Sequence, residues 1–489
     1  MSKKFQYYIN TLWLQALKDT ELLTQAIQRT KERGFNTVSL DLPWGKVETK
    51  PGVYDFCWFD ERVKPVIDAG LNVQLRMNTG YSKPEWLEEK LGKDIYMFGP
   101  DGDIWDREAF KQLTYARDDI VKLQTDFYGA CAAHYSDLTA QGRIMDFSAA
   151  TDNCMESEYK FLDISPMAEA DFVKWMKAKY ESVEALSAKW GRKVSSWDGI
   201  SLSTAHTADV VLYRTWTLKK FFKQAEQAVH SADKNAQFGV QFGSIWDAMG
   251  ARRCAYNVSE MLDGVDWLHV ADTPYYDHYF SMDCCHGMGQ GIKVSNEGTM
   301  FSAQGWERGR GQEAHMDRLP TIAEADESQV RHAWESVERH ITGYFLCNWQ
   351  QEFLDDDLAG WTFFEKNAEN VYKPVPERKV TKALFVSSWD QYLADGVNTS
   401  HVIGALYNKL SDGRTKPIDI VNEGVFMDHH ERWAKYVDGV YFSKYSKHLT
   451  DAFVEQLSLV KVPLYAETPE VGTLDPYGVS RPDLELAPL

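Results

Sequence analysis

Three glutamates stand where chemistry would use them. Residues 144–159, IMDFSAATDNCMESEY, begin as a short apolar strand, Ile144-Met145-Asp146-Phe147, and pass through small and polar residues to Glu156 and Glu158. A second strand, Gly291-Ile292-Lys293-Val294-Ser295-Asn296, runs directly into Glu297, which takes its last position. Two carboxyl groups facing each other across a cleft divide one reaction between them. The protonated one assists a departing oxygen, and the ionised one attacks the carbon left behind or activates water there. At a glycosidic bond a separation of about 5–5.5 Å predicts retention of configuration, and about 6.5–9.5 Å leaves room for water and predicts inversion. The competing reading of residues 144–159 is an acidic surface loop, and at least one of Glu156 and Glu158 has only a structural role, such as holding an arginine.

These carboxyls are so distant in sequence that only a closed fold brings them together. Residues 5–10 read as a strand and 20–33 as a helix with Leu22, Leu23, Ala26, Ile27 and Thr30 on one face. Gly34 is the stop of that helix, and residues 36–42 follow as a β-branched strand. Residues 71–77 make a third strand, and a helix over 118–135 leads to residues 144–147 as the fourth. One long helix over 169–190 and another over 210–232 precede strands at 237–243, 265–270, 291–296 and 343–349. The alternation predicts an α/β fold, a (β/α)8 TIM barrel, with chemistry at the C-terminal ends of its strands. Past a Lys-Pro-Val-Pro linker at 373–376, strands at 383–386, 417–421 and 440–442 alternate with helices, as in the open parallel sheet of a smaller α/β domain. The predicted division is therefore 1–372 for the barrel and 373–489 for the second domain.

Side chains near the strand ends are the candidates for holding a substrate. They are Trp44 after strand two, Arg76 closing strand three, Asn78 and Trp86 beyond it, Asn153 ahead of Glu156, and Trp246 after strand five. Tyr275 and His278 follow strand six, Trp306 lies in a long Gly- and Arg-rich segment, and Trp349 and Glu352 follow strand eight. Aromatic rings offer flat faces to sugar C–H groups, although each of these also has an ordinary packing reading. His278 reads more readily as a hydrogen-bonded loop residue than as a base. Arg76 has the charge to keep a nearby carboxylate ionised, and a structural ion pair would look the same.

Composition narrows the partners. A formal charge of −19 over 489 residues argues against nucleic acid and against an anionic membrane surface, both of which select clustered Lys and Arg. The 17 Trp, 24 Tyr and 24 Phe raise the expectation of a carbohydrate ligand modestly, since most must serve the core. Seven cysteines without a CxxC pair fit a reducing compartment, and Cys284-Cys285-His286 lacks the second ligand pair of a zinc site. No signal-peptide pattern or membrane-length apolar run is read, so a cytoplasmic location is expected, or a periplasmic one if a leader has been removed.

The run from Trp44 through Glu48 to Pro51-Gly52-Val53-Tyr54-Asp55-Phe56, with its following helix, Gly70-Leu71 and strand, resembles the second and third β/α units of family 42 β-galactosidases and their relatives among (β/α)8 glycoside hydrolases. Lys179-Tyr180 through Trp190-Gly191 is similar to the segment that follows the acid/base strand in that family. The resemblance implies a retaining, exo-acting hydrolase of terminal β-galactosides in oligosaccharides, with no metal and no cofactor in its chemistry. It places the acid/base at Glu156, with Glu158 as fallback, and the nucleophile at Glu297. It further implies a flavodoxin-like C-terminal module that forms a homo-oligomer. One departure is visible: the family has Asn directly before its acid, whereas Cys154-Met155 separates Asn153 from Glu156. Two alternatives stand beside this reading. One is the same barrel acting on a modified or sulfated galactan, with Arg308, Arg310 and Lys293 meeting the anionic group, and the other is a non-catalytic carbohydrate-binding barrel.

Overall fold

The structure is a computed structural model in which residues 6–10, 19–32, 34–77, 79–80, 82–99, 101–107, 110–150, 163–242, 258–270, 278–299, 334–339, 341–347, 378–393, 403–433 and 435–489 are described. Eight parallel strands close into a barrel: β1 (Gln6–Asn10), β2 (Thr37–Asp41), β3 (Asn72–Arg76), β4 (Ile144–Ala150), β5 (Phe238–Phe242), β6 (Trp267–Val270), β7 (Lys293–Thr299) and β8 (Gly343–Cys347). Each pairs with its neighbours in sequence, and β8 returns to β1.

A strand's period of two assigns these residues to two environments. Outward positions such as Val38, Leu40, Val73, Leu75, Phe147, Val240, Leu268 and Val294 are buried and belong to the main hydrophobic core that includes the surrounding helices. The alternate positions Ser39, Gln74, Asp146, Ser148, Gln241, His269 and Ser295 are polar, yet each is at most 3% exposed. Strand β4 breaks the alternation once. Val73 pairs with Ile144 and Leu75 with Phe147, so three residues of β4 oppose two of β3, the geometry of a β-bulge. Two consecutive residues thereby turn into the barrel: Met145 packs with Trp267 and Phe345, while Asp146 reaches His269.

Helix α1 (Thr20–Glu32) ends before Gly34, whose φ of 81° is the left-handed stop expected there. Helix α2 (Cys57–Asp68) follows β2, and α3 (Asp118–His134) precedes β4. The single helix expected over 169–190 is two, α4 (Pro166–Tyr180) and α5 (Val183–Trp190). Between them Glu181 adopts φ 60°, and the Ser182 hydroxyl accepts the Ala185 N–H to start α5. Apolar spacing runs unbroken across this joint, which hid a good N-cap inside a helical pattern. Helix α6 (Thr207–Ala232) leads to β5, and α7 (His278–Gly289) to β7. Cys284 and Cys285 are buried in α7, and His286 Nε2 lies 2.7 Å from the Arg339 carbonyl oxygen.

The second sheet is parallel throughout: β9 (Lys382–Phe385), β10 (Asp419–Val421), β11 (Gly439–Phe442), β12 (Leu464–Ala466) and β13 (Ala487–Pro488). Their spatial order is β10-β9-β11-β12-β13, the doubly wound order expected of a flavodoxin-like unit. The expected boundary at 372/373 lies outside the described residues. Helix α7 and β10 meet closely, since a Cβ on Gly287 would fall 1.9 Å from the Ile420 carbonyl oxygen. Beside this contact the buried Asp283 carboxylate gathers Arg378 Nη2 at 3.0 Å, Arg339 Nε at 3.3 Å and the Tyr407 hydroxyl at 2.8 Å. Burial pushes its carboxyl up, against the pull of Arg378 and Arg339. Among the described residues, no helix is long and apolar enough to cross a membrane.

Candidate active site

The C-terminal ends of the strands define one mouth of the barrel. Glu297 lies inside β7, its backbone paired with Phe345 of β8, and the strand continues to Thr299. It therefore is not the terminal strand residue: the β8 register, Leu346 with Gly298 and Cys347 with Thr299, carries the ladder two residues further. Glu156, Glu158, Asn153, Asn78, Trp246, Tyr275, Trp306, Trp349 and Glu352 lie outside the described residues, as do Arg308 and Arg310. His278 opens α7, so helix begins where a loop was expected.

Arg76 closes β3 with no exposure, and its Nη1 stands 3.8 Å from Asp41 Oδ1 at the end of β2. The two tryptophans after β2 and β3 are tied to one another through Glu48. Trp44 donates its indole N–H to Glu48 Oε2 at 2.6 Å, and Trp86 donates to the Glu48 carbonyl oxygen at 3.0 Å. Glu48 Oε1 accepts the Gly52 N–H at 2.6 Å, which fixes the Pro51-Gly52 turn. Trp44 is 0% exposed and stacks on Phe127 of α3 at 5.8 Å, so its ring faces are occupied by packing. Gly45 is required there, since a Cβ would lie 2.6 Å from the Lys83 carbonyl oxygen. The motif that carries the family resemblance thus closes the top of β2 and β3. Lys293, proposed to meet an anionic group, starts β7 at the opposite end of the strand, where its Nζ donates to Gln237 Oε1 at 2.6 Å and lies over Trp267.

Beneath the mouth lies a polar layer that reading strand ends alone passes over. His269 of β6 donates from Nε2 to Asp146 Oδ2 of β4 at 2.9 Å, and its Nδ1 lies 2.6 Å from Ser295 Oγ of β7. The Gln74 carboxamide of β3 lies 3.1 Å from the same Nε2. The imidazole stacks on Trp267 with 5.6 Å between centroids and 8° between planes. Strand β5 makes room with Gly239, where a Cβ would sit 2.0 Å from Asp146 Oδ2. The signal was in the sequence: Asp, His, Ser and Gln each interrupt an apolar strand at an inward position.

A further carboxylate, ahead of α4, ties distant backbone together. Asp163, half-buried, accepts the backbone N–H groups of Phe98 (3.0 Å) and Ser165 (2.7 Å), and the hydroxyls of Thr114 (2.5 Å) and Ser165 (3.0 Å). Burial raises its carboxyl pKa, and those donors work in the opposite direction. Asp163 and Ser165 are thereby fastened to the excursion that follows β3.

Comparison with known proteins adds a family to this geometry. A family model described as β-galactosidase, glycoside hydrolase family 42, matches residues 10–331. The β-galactosidase BbgII of Bifidobacterium bifidum is 22% identical over 286 residues, 54% of this chain and 38% of that protein. BglY of Alicyclobacillus acidocaldarius, also a β-galactosidase, is 25% identical over 177 residues, 36% of this chain and 24% of its own. The chain thus spans well under half the length of these two relatives. Among solved structures, Gan42B, a GH42 β-galactosidase from G. stearothermophilus, superposes with a TM-score of 0.75 at 13% identity, covering 98% of this chain and 74% of the other.

Proposed function

The chain belongs to glycoside hydrolase family 42, and from that premise we propose that it is a retaining, exo-acting hydrolase of terminal β-galactosides in oligosaccharides. One observation carries the reading: a single imidazole ring spans from Asp146 of β4 to Ser295 of β7. Inner faces that close support a pair of carboxyl groups, one from the end of each strand, meeting across the mouth, and retention uses a separation of roughly 5–5.5 Å. By the strand period, position 297 falls on the same strand face as position 295.

In this reading Glu297, ionised, attacks the anomeric carbon as Glu156 gives its proton to the departing glycosidic oxygen, with Glu158 as the second candidate for that proton. A galactosyl ester on Glu297 and a free aglycone alcohol result. The same acid residue, now a carboxylate, takes a proton from water, which attacks the anomeric carbon and returns Glu297 to its ionised form. Two inversions give net retention. Proton and electron pair come from carboxyl groups in the first step and from water in the second, so the steps as written use no cofactor.

The test is turnover on a panel of aryl glycosides, with Glu297→Gln beside the wild type. The wild type is expected to release the phenol from the β-galactoside and to give the β-anomer of galactose first, by proton NMR. Glu297→Gln is expected to lose on the order of 10³-fold or more in kcat. Undiminished turnover in that variant would remove Glu297 as nucleophile, and an inactive wild type across the panel would favour a carbohydrate-binding barrel.

A further inference from the structure

We propose that the buried chain Asp146–His269–Ser295 is a positioning layer for the nucleophile, joining β4, β6 and β7 beneath Glu297 and fixing how far β7 stands from the acid-bearing strand. The inference rests on the assignment of Glu297 given above. Asp146, His269 and Ser295 are each 0% exposed, at 2.9 Å and 2.6 Å from one to the next. Their connectivity is that of a hydrolase triad, but burial leaves Ser295 no path to a substrate, so the chain holds rather than reacts.

The geometry is over-determined. Trp267 lies flat against the imidazole, Gln74 meets it from β3, and Gly239 leaves open the space that the Asp146 carboxylate enters. The ring meets the Asp146 carboxylate at Nε2 and the Ser295 hydroxyl at Nδ1, so it cannot rotate without breaking both contacts. The bulge in β4 is what turns Asp146 inward beside Met145. A layer with no task but stability has a simpler solution in apolar side chains: buried polar networks are favourable only when every member is satisfied, and here Asp146 Oδ1 has no hydrogen-bond partner among the described residues.

The catalytic consequence follows from distance. A strand advances about 3.3 Å per residue, so the Glu297 backbone stands roughly 6.6 Å beyond that of Ser295 on the same strand. A displacement of β7 by about 1 Å at this level reaches the nucleophile almost undiminished, and such a misplacement lowers rate on the order of 10²-fold. Sugar contacts supplied by other strand ends are left in place, so kcat should fall with KM little changed.

Three variants of the full chain test this: Ser295→Ala, Ser295→Thr and His269→Gln, each assayed on an aryl β-galactoside beside Glu297→Gln. A 2-deoxy-2-fluoro-β-galactoside, which labels the nucleophile, counts competent sites. Ser295→Ala and His269→Gln are expected to lower kcat per labelled site about 10- to 100-fold with KM within about threefold. Ser295→Thr, which keeps the hydroxyl, is expected to recover most of the loss. If Glu297→Gln is inactive while Ser295→Ala and His269→Gln keep wild-type kcat, the positioning layer is wrong and the nucleophile stands. Loss that disappears once rates are divided by labelled sites also overturns it, because the layer would then serve folding alone. Turnover by Glu297→Gln would instead bring down the underlying assignment.

Discussion

The barrel and the C-terminal unit are both parallel sheets flanked by helices, yet they fill their interiors in opposite ways. Inside the barrel, β3, β4, β6 and β7 contribute Gln74, Asp146, His269 and Ser295 to one hydrogen-bonded layer. In the C-terminal sheet, Phe385 packs against Phe442 and Phe453 at ring separations of 4.7 and 5.1 Å, with Phe426 and Trp433 alongside. Burying polar groups is favourable only with complete pairing, whereas apolar burial contributes without regard to direction. Directional bonds fix position, and apolar contacts tolerate adjustment. The difference teaches where exact placement matters in this chain.

Asp283 sits at the seam between the two regions, and its removal should have the largest effect on stability. Asp283→Ala leaves Arg378, Arg339 and the Tyr407 hydroxyl without their shared acceptor, a loss of about 3–5 kcal/mol measured by denaturant unfolding. An unfolding midpoint unchanged from wild type would show that the regions are held by packing alone. Phe385→Ala acts within the aromatic interior and is expected to cost about 3–5 kcal/mol, with kcat per folded molecule unchanged. A specific loss of kcat there would erase the contrast.

Gly239→Ala probes the barrel side of the comparison. Its methyl must displace the Asp146 carboxylate, which predicts a stability loss of about 1–3 kcal/mol together with a fall in kcat per folded molecule. Glu423, which opens the helix after β10, gives the smallest effect and a pH signature. Burial pushes its carboxyl up to about 8, from 4.5, although the Thr450 N–H and hydroxyl both donate to it. The folded state therefore holds this proton more tightly than the unfolded chain, so native stability declines as pH rises from about 4.5 to about 8. Glu423→Gln should match the wild type near pH 4.5 and exceed it by about 1–2 kcal/mol at pH 7, by thermal unfolding at several pH values. Equal slopes for the two proteins would place the pH dependence elsewhere.

Much of this architecture was legible because it is written locally. The stop at Gly34, the alternation of β-branched strands with amphipathic helices and the Pro51-Gly52 turn each follow from a few adjacent residues, and together they yield the barrel and the doubly wound sheet. The family resemblance was legible too, yet Trp44, read as a substrate contact, is consumed by Glu48 and Phe127. The last two strands of the C-terminal sheet, Leu464–Ala466 and Ala487–Pro488, are too short to carry a period and went unread. The helix break at Glu181 was hidden because apolar spacing crosses it.

The sequence by itself determined the element types, their order and the carboxylates available for chemistry, because propensity, periodicity and turn residues act over a few positions. Only the tertiary structure decided that Asp146, His269 and Ser295 meet, that β4 bulges to make this happen, and that Lys293 lies at the far end of β7 from the mouth. Those facts depend on strand register and barrel closure, in which residues far apart in the chain come within hydrogen-bonding distance. Polar residues inside strands carry no mark of their partners until the sheet closes around them.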